Sequence, residues 1–212
     1  MKLSTLMMTV LLFGLPLSVH AEITPPDELI KSTVHDVLEV INQDKRASDA
    51  SHKKILDFID AKVLPHFDFE RMTRLAVGKS WRVATPEQKA ALVVEFRTLL
   101  VRTYSRAFTL YKDVSVETKP VIVPPNADEV TVKTVIVRVG APAVPVDYEM
   151  EKTPAGWKAF DVSVEGISLV ATHRGSFNEK VQQSGVEGLI KSLNELNQGA
   201  NTGSAGNKDG AK

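Results

Sequence analysis

The sequence contains no cysteine. That excludes disulfide staples, thiolate chemistry and every cysteine-bearing zinc site. It also lacks a surplus of either charge, with 26 basic and 26 acidic residues. Nucleic-acid binding demands a clear basic excess and is not supported. Aromatic residues are few, and the only tryptophans are Trp81 and Trp157. Beyond the first twenty positions no run is long and apolar enough to cross a membrane, which takes about 20 residues. Four histidines follow that start, His35, His52, His66 and His173, and none stands in a ligand spacing with another.

What is present begins with an export signal. Met1-Lys2 is followed by an apolar run from Leu3 to Leu17 and then by Val19-His20-Ala21. A basic start, a short apolar core and a small residue before Glu22 predict a cleaved signal peptide over 1–21. The core is too short for a spanning helix. With no cysteine after Ala21, a lipoprotein anchor is ruled out. An exported chain without disulfides fits a bacterial periplasm. Cleavage removes Lys2 and no acidic residue, leaving a formal charge of −1. The remaining length suits one domain, expected over 22–197.

The first half of that domain reads as helices. Leu29, Ile30, Val34, Val37, Leu38 and Ile41 recur at helical spacing and predict a helix over 27–43. Ile55, Leu56, Phe58, Ile59 and Val63 mark a second, which Pro65 ends. The segment Phe67-Asp68-Phe69-Glu70-Arg71-Met72 begins a short third helix, with Gly78 as its stop. Thr85-Pro86-Glu87-Gln88 combines a capping threonine, a proline at the first helical position and a glutamine that closes a capping box. It opens a long helix to about Tyr111, whose broad apolar stripe implies more than one neighbour.

From Val114 the composition turns to valine, with prolines and glycines at intervals. Four antiparallel strands are predicted, at 114–123, 129–139, 144–152 and 157–164. In the second the apolar phase slips between Val132 and Val135, which a bulge or strong curvature would explain. The last strand alternates Phe160, Val162 and Val164 against Trp157, Ala159 and Asp161. Glu165-Gly166 stops it, and helical spacing resumes from Ile167. Ser184-Gly185-Val186-Glu187 reads as a second capping box before a closing helix. Residues 198–212 hold no large apolar side chain after Gln198 and are expected to be a disordered tail. The order predicts an α+β fold, a curved antiparallel sheet of about four strands wrapped by helices.

Sites for chemistry are poorly supported. His66, Asp68 and Glu70 alternate at a helix entrance, Asp57 and Asp60 share a helical turn, and both sets read as solvated polar faces. Gly78-Lys79-Ser80 has Thr73 where a phosphate-binding loop needs glycine. Gly166-Ile167-Ser168 lacks the flanking glycine of a nucleophile elbow. No catalytic residue, metal ligand or cofactor is assigned. What remains is apolar surface on sheet and helices, which periodicity alone reads as faces packed against each other in preference to a cavity wall.

Two motif blocks carry a resemblance. Trp157-Lys158-Ala159-Phe160-Asp161-Val162, then Glu165-Gly166-Ile167-Ser168-Leu169-Val170, Arg174 and Phe177, resembles the hallmark of the MlaC, or toluene-tolerance, family. Leu64-Pro65-His66-Phe67-Asp68-Phe69, then Gly78, Trp81, Thr85 to Gln88, Phe96 and Tyr104, follows the same family's pattern upstream, and the likeness spans about 25–197. His173 departs from it, standing where a tyrosine or another polar residue is common. The resemblance implies a fold similar to nuclear transport factor 2 and a periplasmic carrier with phospholipid as cargo. The tails would lie in a cavity between sheet and helices. Its implied partners are an inner-membrane ABC transporter with an MCE-domain ring and an outer-membrane lipoprotein–porin complex. The implied role is to maintain outer-membrane lipid asymmetry.

On that reading Val135, Val137, Val144, Val146, Tyr148, Phe160, Val162 and Ile167 line the sheet side of the cavity. Met72, Leu75, Phe96, Leu100 and Tyr104 complete the helical side. Acyl burial is worth about 0.8 kcal/mol per methylene, so a two-tailed lipid of roughly 30 methylenes faces on the order of 25 kcal/mol in water. A carrier replaces that with a dry pocket and needs no catalytic residue. Two other classes stay open: an exported enzyme or small-ligand binder on the same fold, marked by a buried acid or histidine in the pocket, and a structural adaptor with a solid core.

Overall fold

The computed structural model describes residues 23–43, 49–110 and 114–202. The expected signal peptide, 1–21, lies outside them. Helix α1, Pro26–Gln43, buries Ile30, Val37 and Ile41 along one stripe. The Asp27 carboxylate near its start accepts the Val121 N–H at 3.1 Å and ties the helix to the far side of the chain. Helix α2, Asp49–Phe58, widens into a π turn at Ile59–Val63 and a 3-10 turn at Leu64–His66, where Pro65 stops further propagation. Helix α3, Phe69–Val77, starts at Asp68, whose carboxylate accepts the Arg71 N–H at 2.7 Å. Gly78 ends it at φ 64, leading into a 3-10 turn at Gly78–Arg82. Helix α4, Pro86–Leu110, opens on the capping box: the Thr85 N–H donates to Gln88 Oε1 at 3.1 Å, and the Gln88 N–H to Thr85 Oγ1 at 3.2 Å.

The strands are β1 Val114–Thr118, β2 Glu129–Arg138, β3 Val144–Thr153, β4 Gly156–Val164 and β5 Ile167–Ser168. They form one antiparallel, curved sheet in sequence order, so the architecture is α+β with five strands. The fifth strand is two residues long. It returns from β4 through Glu165 and Gly166, both at positive φ (52 and 80), the pairing of angles a two-residue hairpin turn requires. Phe67 bridges to Ala159 in parallel, farther along the same edge of β4.

Register sets which side chains share a face. Val132 pairs with Tyr148, Thr134 with Val146 and Ile136 with Val144. Val116 pairs with Ile136, and Val162 and Val164 with Tyr148 and Val146. These residues form the inner face, the one α1 covers. No bulge interrupts β2, so its apolar phase slip is real. Val135 and Val137 pair with Pro145 and Ser115 on the outer face. The irregularity lies at Glu149/Met150 opposite β4, where Phe160 is the extra residue. Trp157, Ala159, Val162 and Val164 therefore share the inner face, which simple alternation could not give.

Helix α5, Leu169–Thr202, kinks at Ser184 and Gly185, the latter at φ 70. The expected capping box does not form. The Ser184 hydroxyl donates back to the Lys180 carbonyl at 3.1 Å, and Glu187 accepts from Gln88 Nε2 at 3.4 Å. Helix also extends through 198–202, the start of the expected tail, whose remainder lies outside the described residues.

Among the described residues three apolar clusters hold the fold. The largest joins α3, α4 and α5 through Met72, Ala76, Trp81, Leu92, Phe96, Phe177 and Leu193. A second seals one end of the inner face, with Ile30 of α1 against Val132, Met150, Trp157 and Ala159. A third packs Val37 and Ile41 of α1 against Ile55 and Ile59.

Candidate functional site

The inner face is sealed at one end and open at the other. Val132 and Met150 are 0% exposed under α1, and Ala159 is 1% exposed. Toward the β2–β3 hairpin, Val114, Val116, Ile136, Val144 and Val164 all keep part of their surface accessible. They are apolar, on the same face and without a full cover. Tyr148 lies between these regimes. Burial pushes its phenol up, with the Thr134 hydroxyl partly offsetting this, and the residue as a whole is half-buried.

A groove of about 1020 Å³ runs between α1 and edge strand β1. Val34 and Leu38 form its apolar wall on the helix, and Val114 and Val116 its wall on the strand. Glu28, Lys31, His35 and Glu39 line the helical rim. At 1.5 Å per residue, the lining from Glu28 to Gln43 is roughly 22 Å long. A second, smaller space of about 240 Å³ sits in the elbow of α5, against Phe177 and Leu193.

The structure distributes the sequence-derived lining residues over several places. Val144, Val146, Tyr148 and Val162 lie together on the inner face. Val135 and Val137 are on the outer face. Phe160, as the bulge residue, is turned from the inner face and buried, with the Arg71 guanidinium 3.5 Å over its ring. Ile167 is on the inner side by its pairing with Val164 but is 66% exposed. Met72, Phe96 and Leu100 are buried in the α3–α4–α5 cluster, with Leu75 and Tyr104 packed against it. The groove residues of α1 and β1 were missed. Their signal was present: α1 is apolar at Val34 and Leu38 as well as on its buried stripe, a wider band than one packed face needs.

Polar groups near the motifs are engaged in holding structure. The Asp161 carboxylate accepts the Val162 and Val170 N–H groups at 2.8 and 3.1 Å and the Ser168 hydroxyl. Ser168 Oγ in turn accepts the Ala171 N–H at 2.9 Å, so both residues cap α5. Arg71 joins Glu151 at 2.6 Å and Glu129 at 2.5 Å on the outer face. Asp57 pairs with Lys53, and Asp60 with Arg97. His173 stacks edge-on against Phe96, 5.2 Å between ring centres, with its Nε2 unpartnered, and burial pushes its imidazole down. His66 is lowered by burial and then by Lys158. Among the described residues no group of three His, Asp or Glu is placed to hold a metal ion, and no helix is long and apolar enough to cross a membrane.

A sheet with one apolar face left partly uncovered, and a helix standing off its edge, defines an α+β binding protein with an open apolar groove. The chain matches the MlaC protein family model over residues 31–195, and it belongs to the MlaC family. It is similar to the toluene tolerance protein ttg2D of Pseudomonas putida, with 26% identity over 180 residues, covering 83% of this chain and 81% of that protein. Its fold matches a phospholipid-binding protein from Ralstonia solanacearum, solved in complex with a phospholipid. The TM-score is 0.73 at 33% identity, covering 81% of this chain and 96% of the other.

Proposed function

We propose that this protein is a phospholipid carrier that holds acyl chains on the open part of its inner face and admits them through the α1–β1 groove. The observation that carries the reading is the uncovered apolar surface of Val116, Ile136, Val144 and Tyr148 behind a groove of about 1020 Å³. Covering that surface with methylenes removes it from water at about 25 cal/mol per Å². Family membership and the phospholipid bound by the Ralstonia relative support the same cargo.

The wider role follows from the family resemblance and the N-terminal sequence. The mature chain works in the periplasm after cleavage at 1–21. There it carries lipid between an outer-membrane lipoprotein–porin complex and an inner-membrane ABC transporter with an MCE-domain ring, and so maintains outer-membrane lipid asymmetry. It acts as a carrier and not as an enzyme, with phospholipid as cargo and no cofactor. The test is to purify the protein from cells without detergent, denature it and identify released lipids by mass spectrometry. Near-stoichiometric phospholipid is expected. Its repeated absence would overturn the carrier reading.

A further inference from the structure

Exposure along the inner face falls in steps from the β2–β3 hairpin to the sealed end. Ile136 and Val144, paired beside the hairpin, are half-buried. The next row, Thr134 with Val146, is 1% and 6% exposed. At the far end Val132, Met150 and Ala159 are closed over together with Ile30 and Trp157. Tyr148 breaks this order. It pairs with Val132 and packs against the sealing cluster, yet the residue keeps part of its surface accessible. The hydroxyl that acts on its phenol is that of Thr134, which belongs to the row nearer the hairpin. The side chain therefore leans from the seal toward the open end, with Val146 on one side of it along β3 and Met150 on the other.

The position of this ring matches the reach of a lipid tail. From Val144 to Tyr148 is four residues of β3, about 14 Å at the rise of a strand. The hydrocarbon core of a bilayer is about 30 Å thick, so the tails of one leaflet reach about 15 Å. A tail laid along β3 from the hairpin end brings its terminal methyl to the phenol ring.

We propose that Tyr148 is the stop of the acyl site and sets the length of tail that the protein takes. This rests on the carrier reading and adds a chain-length preference to it. Beyond the ring, Val132 and Met150 are 0% exposed and Ala159 is 1% exposed, so the seal offers no surface to further methylenes. A longer tail must fold back or leave its excess methylenes in water at the open end, and both weaken binding relative to the bilayer it came from. Replacing the ring by a methyl group lengthens the site toward Met150, two residues or about 7 Å further along the strand.

The experiment uses vesicles of equimolar phosphatidylethanolamines bearing either two 16-carbon or two 22-carbon monounsaturated tails. The purified mature protein is incubated with them until its bound composition no longer changes, then re-isolated, and its lipid is quantified by mass spectrometry. The shorter lipid is expected to exceed the longer at least three-fold in the wild type. Tyr148→Ala should bring the ratio near one, Tyr148→Leu should fall between, and Tyr148→Phe, which keeps the ring, should restore the wild-type ratio. Thermal melts identify the folded variants. Tyr148→Leu keeps an apolar side chain against the sealing cluster and decides the question if Tyr148→Ala does not fold. A wild-type ratio near one, or a wild-type ratio in a folded, lipid-bearing Tyr148→Ala or Tyr148→Leu protein, overturns the stop while leaving the carrier intact. A protein that takes up neither lipid overturns the carrier reading and this assignment with it.

Discussion

Asp161 shows how a residue in a recognised motif is explained by local structure. Its carboxylate meets two backbone N–H groups and the Ser168 hydroxyl at the positive end of α5. Replacing it with alanine is expected to cost about 1–2 kcal/mol, the usual loss for a helix cap plus its favourable dipole contact. A denaturant melt checks this, and Asp161→Asn should recover part of the loss. Sequence alone could not assign this role, because the hairpin at Glu165-Gly166 is what brings residue 161 back to 168 and 170. His173 makes a second residue-scale case. With its pKa lowered below 6.5, the folded state binds fewer protons than the unfolded chain between the lowered value and 6.5. Stability is therefore full above pH 6.5 and falls as the pH drops through that window. His173→Phe should flatten the loss seen by thermal unfolding between pH 7 and 5, with the contribution of His66 left in both proteins.

At the scale of elements, the motifs with strong local chemistry were readable and the irregular ones were not. The capping box at Thr85 and Gln88, the stop at Gly78 and the stripe of α1 each follow from residues near in sequence. The bulge at Phe160 does not, and the group that meets its ring, the Arg71 guanidinium, comes from α3, far away in sequence. Arg71→Ala removes that contact and strands Glu151, whose side chain is 21% exposed. A loss of about 3 kcal/mol is expected by chemical denaturation, the scale for breaking a buried pair. The elbow of α5 is another irregular element. An added Cβ at Gly188 would lie 2.4 Å from Ser184 Cβ and 2.0 Å from its hydroxyl. Rotating the serine relieves only the second clash, so the backbone must shift. Gly188→Ala is expected to lower stability by about 1–3 kcal/mol, as overpacking does, and Ser184→Ala should not rescue it.

For the whole molecule, the α+β order and the antiparallel meander were legible because valine-rich alternation and short turns leave few other arrangements. The division between solid core and open site was not. Met72, Phe96 and Leu100 are as apolar as Val116 and Ile136, and periodicity reports burial without saying whether protein or ligand does the burying. The structure separates them: the first set fills the helical cluster, and the second lines an uncovered face. Two variants should therefore diverge. Phe96→Ala is expected to cost about 3–5 kcal/mol of stability while the folded fraction still carries lipid. Val116→Glu, at a half-exposed groove position, should leave the melt nearly unchanged and reduce lipid recovered by mass spectrometry. The measurement that tests the central claim most directly is to load the protein with a phospholipid bearing a photoactivatable group on its acyl chain, irradiate it and map the adducts by peptide sequencing. Adducts on Val116, Ile136, Val144 and Tyr148 are predicted; labelling confined to Met72, Phe96 and Leu100 would contradict the account.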